Sequence, residues 1–121
     1  MSPARTFRCE PQAVTAARRF VRETLSDRSP QLVDAAELMT SELVTNCVRH
    51  AHTAFELVVH DQGEVRVEVS DSGAGRPRPL SPGEHDPTGR GLRIVEALSD
   101  AWGVIPRNEG KTVWFEIRSA V

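Results

Sequence analysis

The stretch SELVTNCVRHAH, residues 41–52, has the spacing of an amphipathic helix, with apolar residues recurring every three or four positions. Glu42, Asn46, Arg49 and His50 are spaced by four, three and one residues. A helix of about 3.6 residues per turn aligns them in one polar stripe. On its own, such a stripe is most often the solvated side of a helix. Whether it binds a ligand depends on the rest of the chain.

The composition indicates one soluble globular domain, residues 1–121, with 39% hydrophobic and 26% charged residues. A net charge of −2 gives no basic field for nucleic acid or for an anionic membrane. No apolar run approaches the roughly 20 residues of a transmembrane helix, and the N-terminus lacks the apolar core of a signal peptide. We therefore expect a cytoplasmic protein that binds neither nucleic acid nor membrane, with Cys9 and Cys47 as reduced core thiols.

The succession of helical and alternating patterns predicts an α+β fold. We expect a two-layer sandwich, in which three helices lie on one face of a mixed, mostly antiparallel sheet of about five strands. Gln62-Gly63 and residues 107–110 are the expected hairpin turns. The predicted elements are a strand at 5–10, helices at 11–27 and 31–51, strands at 53–61 and 64–71, a helix at 91–100, and strands at 101–106 and 111–119.

Two glycine motifs flank the longest segment without periodicity, residues 71–91. DSGAG (71–75) places an acid at a strand end, followed by two glycines that allow a ligand to approach the backbone closely. TGRGL (88–92) leads into a helix, whose exposed N–H groups suit an anion. Each motif alone is common in loops. Together with the polar stripe, and in this order, they are much less likely to occur by chance.

These motifs resemble those of the GHKL, or Bergerat-fold, ATPases, which include gyrase, histidine kinases, MutL-type repair proteins and anti-sigma-factor serine kinases. SELVTNCVRHA is similar to their N-box, with Glu42 and Asn46 in the E-x-x-x-N positions. DSGAG and GRGL resemble the two glycine boxes, and GKTVWFEI (110–117) resembles the closing strand. The likeness covers nearly the whole chain and is strongest to short anti-sigma-factor-like members. It implies the Bergerat ATP-binding fold, with ATP or ADP and Mg²⁺ as cofactors.

The resemblance also implies roles for the matching residues. Asn46 would bind Mg²⁺ through its amide oxygen, and Glu42 would act as general base toward the attacking hydroxyl or water. Asp71 would accept a hydrogen bond from the adenine amino group. The other implied nucleotide-binding positions are Arg49 and His50 near the phosphates, Gly73 and Gly75 beside the base, Gly89, Arg90, Gly91 and Leu92 in the second glycine box, and Thr112 in the adenine pocket.

The resemblance leaves three activities open. The first is a serine/threonine protein kinase that phosphorylates a small anti-sigma antagonist and alternately binds a sigma factor, as a homodimer like others in the family. The second is a nucleotide-bound regulator that sequesters a partner without catalysis. The third is a pseudo-domain that binds partners without nucleotide. The expected ATP lid, roughly 76–88, is short and contains four prolines, which leaves slow or absent catalysis open.

Two other nucleotide or metal signals fail. GKT at 110–112 resembles the end of a P-loop, but position 105 is Ile rather than Gly and the pattern that follows is a strand. His50 and His52 are two residues apart on a helix and do not face one metal, which argues against a zinc site.

Overall fold

The computed structural model describes residues 2–51, 53–72 and 89–118, and its elements occur in the predicted order. Gly73, Gly75 and the expected lid at 76–88 lie outside the described residues. No described helix is long and apolar enough to cross a lipid bilayer. The elements are β1 (Ala4–Phe7), α1 (Gln12–Thr24), α2 (Pro30–Asn46), a π-helical turn (Cys47–Ala51), β2 (Phe55–Gln62), β3 (Glu64–Asp71), α3 (Gly89–Leu98), β4 (Ala101–Pro106) and β5 (Lys111–Ile117).

The described strands form one sheet in the order β1-β2-β3-β5-β4. Its four pairings are all antiparallel, so the described sheet contains no parallel pair where the sequence predicts a mixed sheet. Both predicted hairpins, β2–β3 and β4–β5, are present. Their turns contain Gly63 at φ 78° and Gly110 at φ 83°, a backbone region that glycine enters at little cost.

Ser29 and Pro30 separate the two long helices, as predicted. Ser29 is the N-cap of α2, where its hydroxyl accepts a hydrogen bond from the Leu32 amide at 3.3 Å, and Pro30 occupies the first turn. The first helix ends at Thr24 rather than near Asp27. The two helices pack against each other along their lengths.

The helices cover one face of the sheet, which confirms the two-layer α+β arrangement. α2 contacts β3 and β5, and α1 contacts β2. Burying one aliphatic side chain is worth about 1.5–3 kcal/mol, so this layer fixes the strand register and with it the position of the end of β3. The inward residues of the central strands include Leu57, Val59, Val67, Val69 and Phe115, none more than 1% exposed.

The opposite face of the sheet carries charged side chains in cross-strand contacts. Arg66 donates to Glu68 at 2.8 Å and to Glu116 at 2.9 Å. The same guanidinium lies 4.1 Å from the centroid of the Trp114 ring. These contacts link β3 to β5 on a face that no described helix covers.

Candidate nucleotide site

Glu42 and Asn46 lie on the flank of α2 that faces away from α1. Glu37 marks the α1 flank, because its nearly buried carboxylate pairs with Arg18 and Arg22 of α1. At about 100° per residue, Glu42 and Asn46 lie about 140° and 180° around the helix from Glu37. Both are half-buried rather than fully solvated. The polar stripe is therefore separate from the α1–α2 contact, and its burial exceeds that of a bare solvated face.

The α-helical part of the stripe ends at Asn46. Cys47–Ala51 forms a π-helical turn, which contains Arg49 and His50, and the Arg49 side chain is exposed. The prediction of a continuous α-helix to residue 51 is therefore wrong. Because a π-helical turn is wider than an α-helical one, Arg49 and His50 do not continue the stripe at 3.6 residues per turn. Single π-helical turns are frequent at functional sites.

Asp71 ends β3 on the inner face of the sheet. It lies opposite Phe55 of β2 and Lys111 of β5, and its side chain is only 3% exposed. The Lys111 Nζ is 3.3 Å from Asp71 Oδ2. A carboxylate this deeply buried retains its charge at low cost only when a cation or hydrogen-bond donor is close. The structure supplies that cation from the neighbouring strand.

The Cys47 thiol is buried directly after the end of α2. Burial, and to a smaller extent the negative charge of Asp71, raises the pKa of Cys47 to about 12. α2 packs against β3, the strand that Asp71 ends. Asn46 directly precedes Cys47, so the first and second sequence motifs converge although 25 residues separate Asn46 from Asp71.

Cys9 lies against the same turn. Its Sγ donates to the Val48 carbonyl at 3.5 Å, and both cysteines are free thiols. Cys47 is buried in the core as predicted, whereas Cys9 is only half-buried.

Thr112 lies on the other face of the sheet from Asp71. It pairs with Ser70, its Oγ1 is 2.7 Å from Ser70 Oγ, and it accepts a hydrogen bond from Arg107 Nε at 2.6 Å. The expectation that Thr112 shares a pocket with Asp71 is therefore not met, because successive side chains of a strand point to opposite faces. Lys111 is the β5 residue that contacts Asp71. The alternation of β5 could have predicted this, because Lys111 is two residues from Val113 and therefore lies on the same inner face of the sheet.

The second glycine motif lies within the first turn of α3, which begins two residues earlier than the predicted helix at 91–100. Gly89 begins α3, and Arg90 and Gly91 belong to its first turn. Leu92 is half-buried against the core, and α3 packs on α2. The helix that begins with this motif thus packs on the helix that carries the polar stripe.

Two cavities border these elements. One, of about 270 Å³, lies between α1 and α2 beside Arg18 and Glu37, on the flank away from Glu42. The other lies where β2 begins and β3 ends. Its volume of about 310 Å³ is at the lower limit for a small-molecule site. It is lined by Thr6, Ala54, Phe55, Glu56, Ser70, Asp71, Ser72 and Glu109.

The described residues contain no group of three or more His, Cys, Asp or Glu side chains arranged around a common metal position. A divalent ion at this site would therefore take only part of its ligands from them. The Asn46 amide oxygen is a suitable hard ligand, since Mg²⁺ commonly takes one or two protein oxygens and completes its shell with phosphate and water.

A sequence model of the histidine kinase-like ATPase domain family matches residues 7–117, which is nearly the whole chain. No curated protein sequence matches the chain. The family match includes the polar stripe, Asp71 and β5.

Two solved structures share the fold. The RsbU and RsbW domains of Rv1364c from Mycobacterium tuberculosis superpose with a TM-score of 0.74 at 20% identity, covering 96% of this chain and 32% of that one. The histidine kinase domain of a blue-light activated histidine kinase from Erythrobacter litoralis gives 0.58 at 22% identity, covering 88% and 59%. The chain thus spans about a third and three fifths of these proteins.

Proposed function

Because the chain belongs to the histidine kinase-like ATPase domain family, we propose that it is an ATP- and Mg²⁺-binding regulatory domain of the anti-sigma type, with serine/threonine kinase activity toward a small antagonist protein. Family membership implies nucleotide binding. The observation that carries the proposal is the packing of α2, which holds Glu42 and Asn46, against β3, which ends at Asp71.

Each residue has a task that its position suits. The buried carboxylate of Asp71 accepts a hydrogen bond from the exocyclic amine of the base. Asn46 would hold Mg²⁺, which would neutralise charge on the phosphates when bound. Glu42, one helical turn before Asn46, takes the proton of the attacking hydroxyl as the γ-phosphoryl group passes to that oxygen and ADP leaves. The exposed guanidinium of Arg49 is available to the phosphates.

The proposed partners are a sigma factor and a small antagonist, which would place the protein in the cytoplasm and make it a regulator of transcription. The fold likeness to a structure that includes an RsbW domain supports this class of partner. A homodimer belongs to the same proposal.

The test is transfer of labelled γ-phosphate to candidate antagonist proteins. Wild type, Glu42→Gln and a control, Glu23→Gln on the exposed side of α1, are compared at equal nucleotide occupancy. We expect Glu42→Gln to lose at least about 100-fold in transfer rate while still binding ATP, which is the usual size of a general-base contribution. Equal transfer by all three proteins contradicts the role of Glu42. ATP binding with no transfer by wild type favours a nucleotide-bound sequestering regulator, and absence of binding favours a pseudo-domain.

A further inference from the structure

The cation beside Asp71 is the only lysine of the chain, since the other fourteen basic residues are arginines. Lys111 lies directly opposite Asp71 in the β3–β5 register, with its Nζ 3.3 Å from Oδ2. The Asp71 side chain is 3% exposed and that of Lys111 is 49% exposed. The pair thus consists of a buried acceptor and a solvent-accessible donor at the same end of the inner sheet face.

A carboxylate with an adjacent ammonium presents an acceptor next to a donor. An ammonium has three N–H donors and a carboxylate accepts several hydrogen bonds, so both groups can contact a ligand while they contact each other. Lysine is a compact, flexible donor, whereas the planar fork of arginine tends to bind both carboxylate oxygens together. The chain uses lysine at this one position.

The purine bases differ in the order of donors and acceptors on the edge that would meet this pair. Adenine offers its N6 amino donor beside the N1 acceptor, and guanine offers the O6 acceptor beside the N1–H donor. Opposite the 6-substituent, a lone carboxylate matches the adenine amine and repels the guanine O6. A neighbouring ammonium removes that repulsion, because it donates to O6 while the carboxylate accepts from the guanine N1–H.

We propose that Lys111 makes this site accept guanine as well as adenine nucleotides. The inference rests on the proposed nucleotide site and concerns its base specificity. With adenine, Asp71 accepts from N6 and the base needs no donor from Lys111. With guanine, Lys111 donates to O6 and Asp71 accepts from N1–H.

The alternative role for Lys111 is structural, the neutralisation of a buried carboxylate. The ratio of the affinities for ATP and GTP distinguishes the two roles. A neutralising lysine affects the affinities for ATP and GTP alike, whereas a base-reading lysine affects GTP selectively, since O6 has no other donor from the pair. A hydrogen bond to a charged group changes affinity by about tenfold to a hundredfold when its loss leaves the partner atom unpaired.

Calorimetric titration with Mg²⁺-ATP and Mg²⁺-GTP tests the proposal on wild type, Lys111→Met and a control, Arg19→Met, an exposed position on α1. We expect the GTP dissociation constant of wild type to be within tenfold of that for ATP. Lys111→Met should raise the ratio of the GTP dissociation constant to the ATP dissociation constant at least tenfold, and Arg19→Met should leave this ratio unchanged. A wild-type ratio above ten, or a smaller rise in Lys111→Met, overturns the proposal.

The single lysine permits a second measurement that needs no variant. Acetylation with an amine-reactive reagent modifies only Lys111 and the N-terminal amine, which serves as internal reference in mass spectrometry. Saturating ATP and saturating GTP should each slow acetylation of Lys111 at least fivefold relative to the N-terminus. Protection by ATP but not GTP overturns this inference and leaves the proposed function standing. Failure of wild type to bind either nucleotide overturns both.

Discussion

Asn46 and Cys47 are adjacent in sequence but differ sharply in surroundings. Asn46 is half-buried on the flank of α2 that carries Glu42, whereas Cys47 points into the core and is 6% exposed. The rotation between two neighbouring helical residues therefore separates the amide of Asn46, which is partly accessible, from the thiol of Cys47, which is inaccessible.

For Asn46, the expected effect of substitution depends on the metal. Asn46→Ala removes the only side-chain oxygen that we assign to Mg²⁺, so ATP affinity should fall about tenfold or more in Mg²⁺ and by less than threefold in excess chelator. Titrations of wild type and variant under both conditions check this. Thr45→Ala, one position away, is the matched control. An equal loss of affinity with and without Mg²⁺ would remove the metal from the role of Asn46.

For Cys47, the prediction concerns alkaline stability. Burial raises the pKa of the thiol from 9.0 to about 12, so the folded state keeps its proton over a range in which the unfolded chain loses it. The stabilising contribution is complete below pH 9 and is lost as the pH rises from 9 toward 12. The chain has no tyrosine and one lysine, so few other groups titrate in this range.

Urea unfolding between pH 8 and 10.5 measures this effect. The free energy of unfolding should fall with pH in wild type and in Cys9→Ala, and should fall less steeply in Cys47→Ala. The same slope in all three proteins would contradict the pKa shift of Cys47.

At the scale of elements, β4 and β5 meet through an unusually close contact. Gly103 of β4 pairs with Trp114 of β5, and a Cβ at Gly103 would come within 2.9 Å of the indole. Arg66 lies over the same ring from the β3 side, so the indole has little room to move away. Glycine is therefore required here by close approach rather than by backbone conformation.

Gly103→Ala should destabilise the protein by about 1–3 kcal/mol, the usual cost of overpacking. The loss should shrink when the indole is absent, so a double-mutant cycle with Trp114→Leu gives a coupling energy that favours the double variant. Urea unfolding of the four proteins checks this. Additive losses would contradict steric contact as the cause.

The sequence predicts most elements because their signals are local. Ser29-Pro30 starts α2, Gly63 marks the β2–β3 turn, and alternation identifies β5. The π-helical turn at Cys47–Ala51 is not predictable in this way, because an α-helical pattern continues through it. The contact between Lys111 and Asp71 also depends on strand register, which a short motif does not carry.

At the scale of the whole molecule, three helices on one face of the sheet leave the other described face to charged and aromatic side chains. Among the described residues, three parts of the motifs that resemble a nucleotide site lie on the helical side: the end of α2, the end of β3 and the start of α3. Resemblance of motifs assigned Thr112 to that side, and the strand geometry assigns Lys111 instead. The whole chain thus determines the fold and the family, whereas the face of the sheet on which a residue lies determines whether that residue can contact Asp71.

The central claim is that Asp71 and the end of α2 form one nucleotide site, and calorimetric titration with Mg²⁺-ATP tests it most directly. We expect wild type to bind with a dissociation constant below about 1 mM, equivalent to more than roughly 4 kcal/mol. Asp71→Asn should weaken binding about tenfold to a hundredfold, while Asp27→Asn, at an exposed position after α1, should not. Wild-type binding weaker than 1 mM, or equal affinities for all three proteins, would contradict the account.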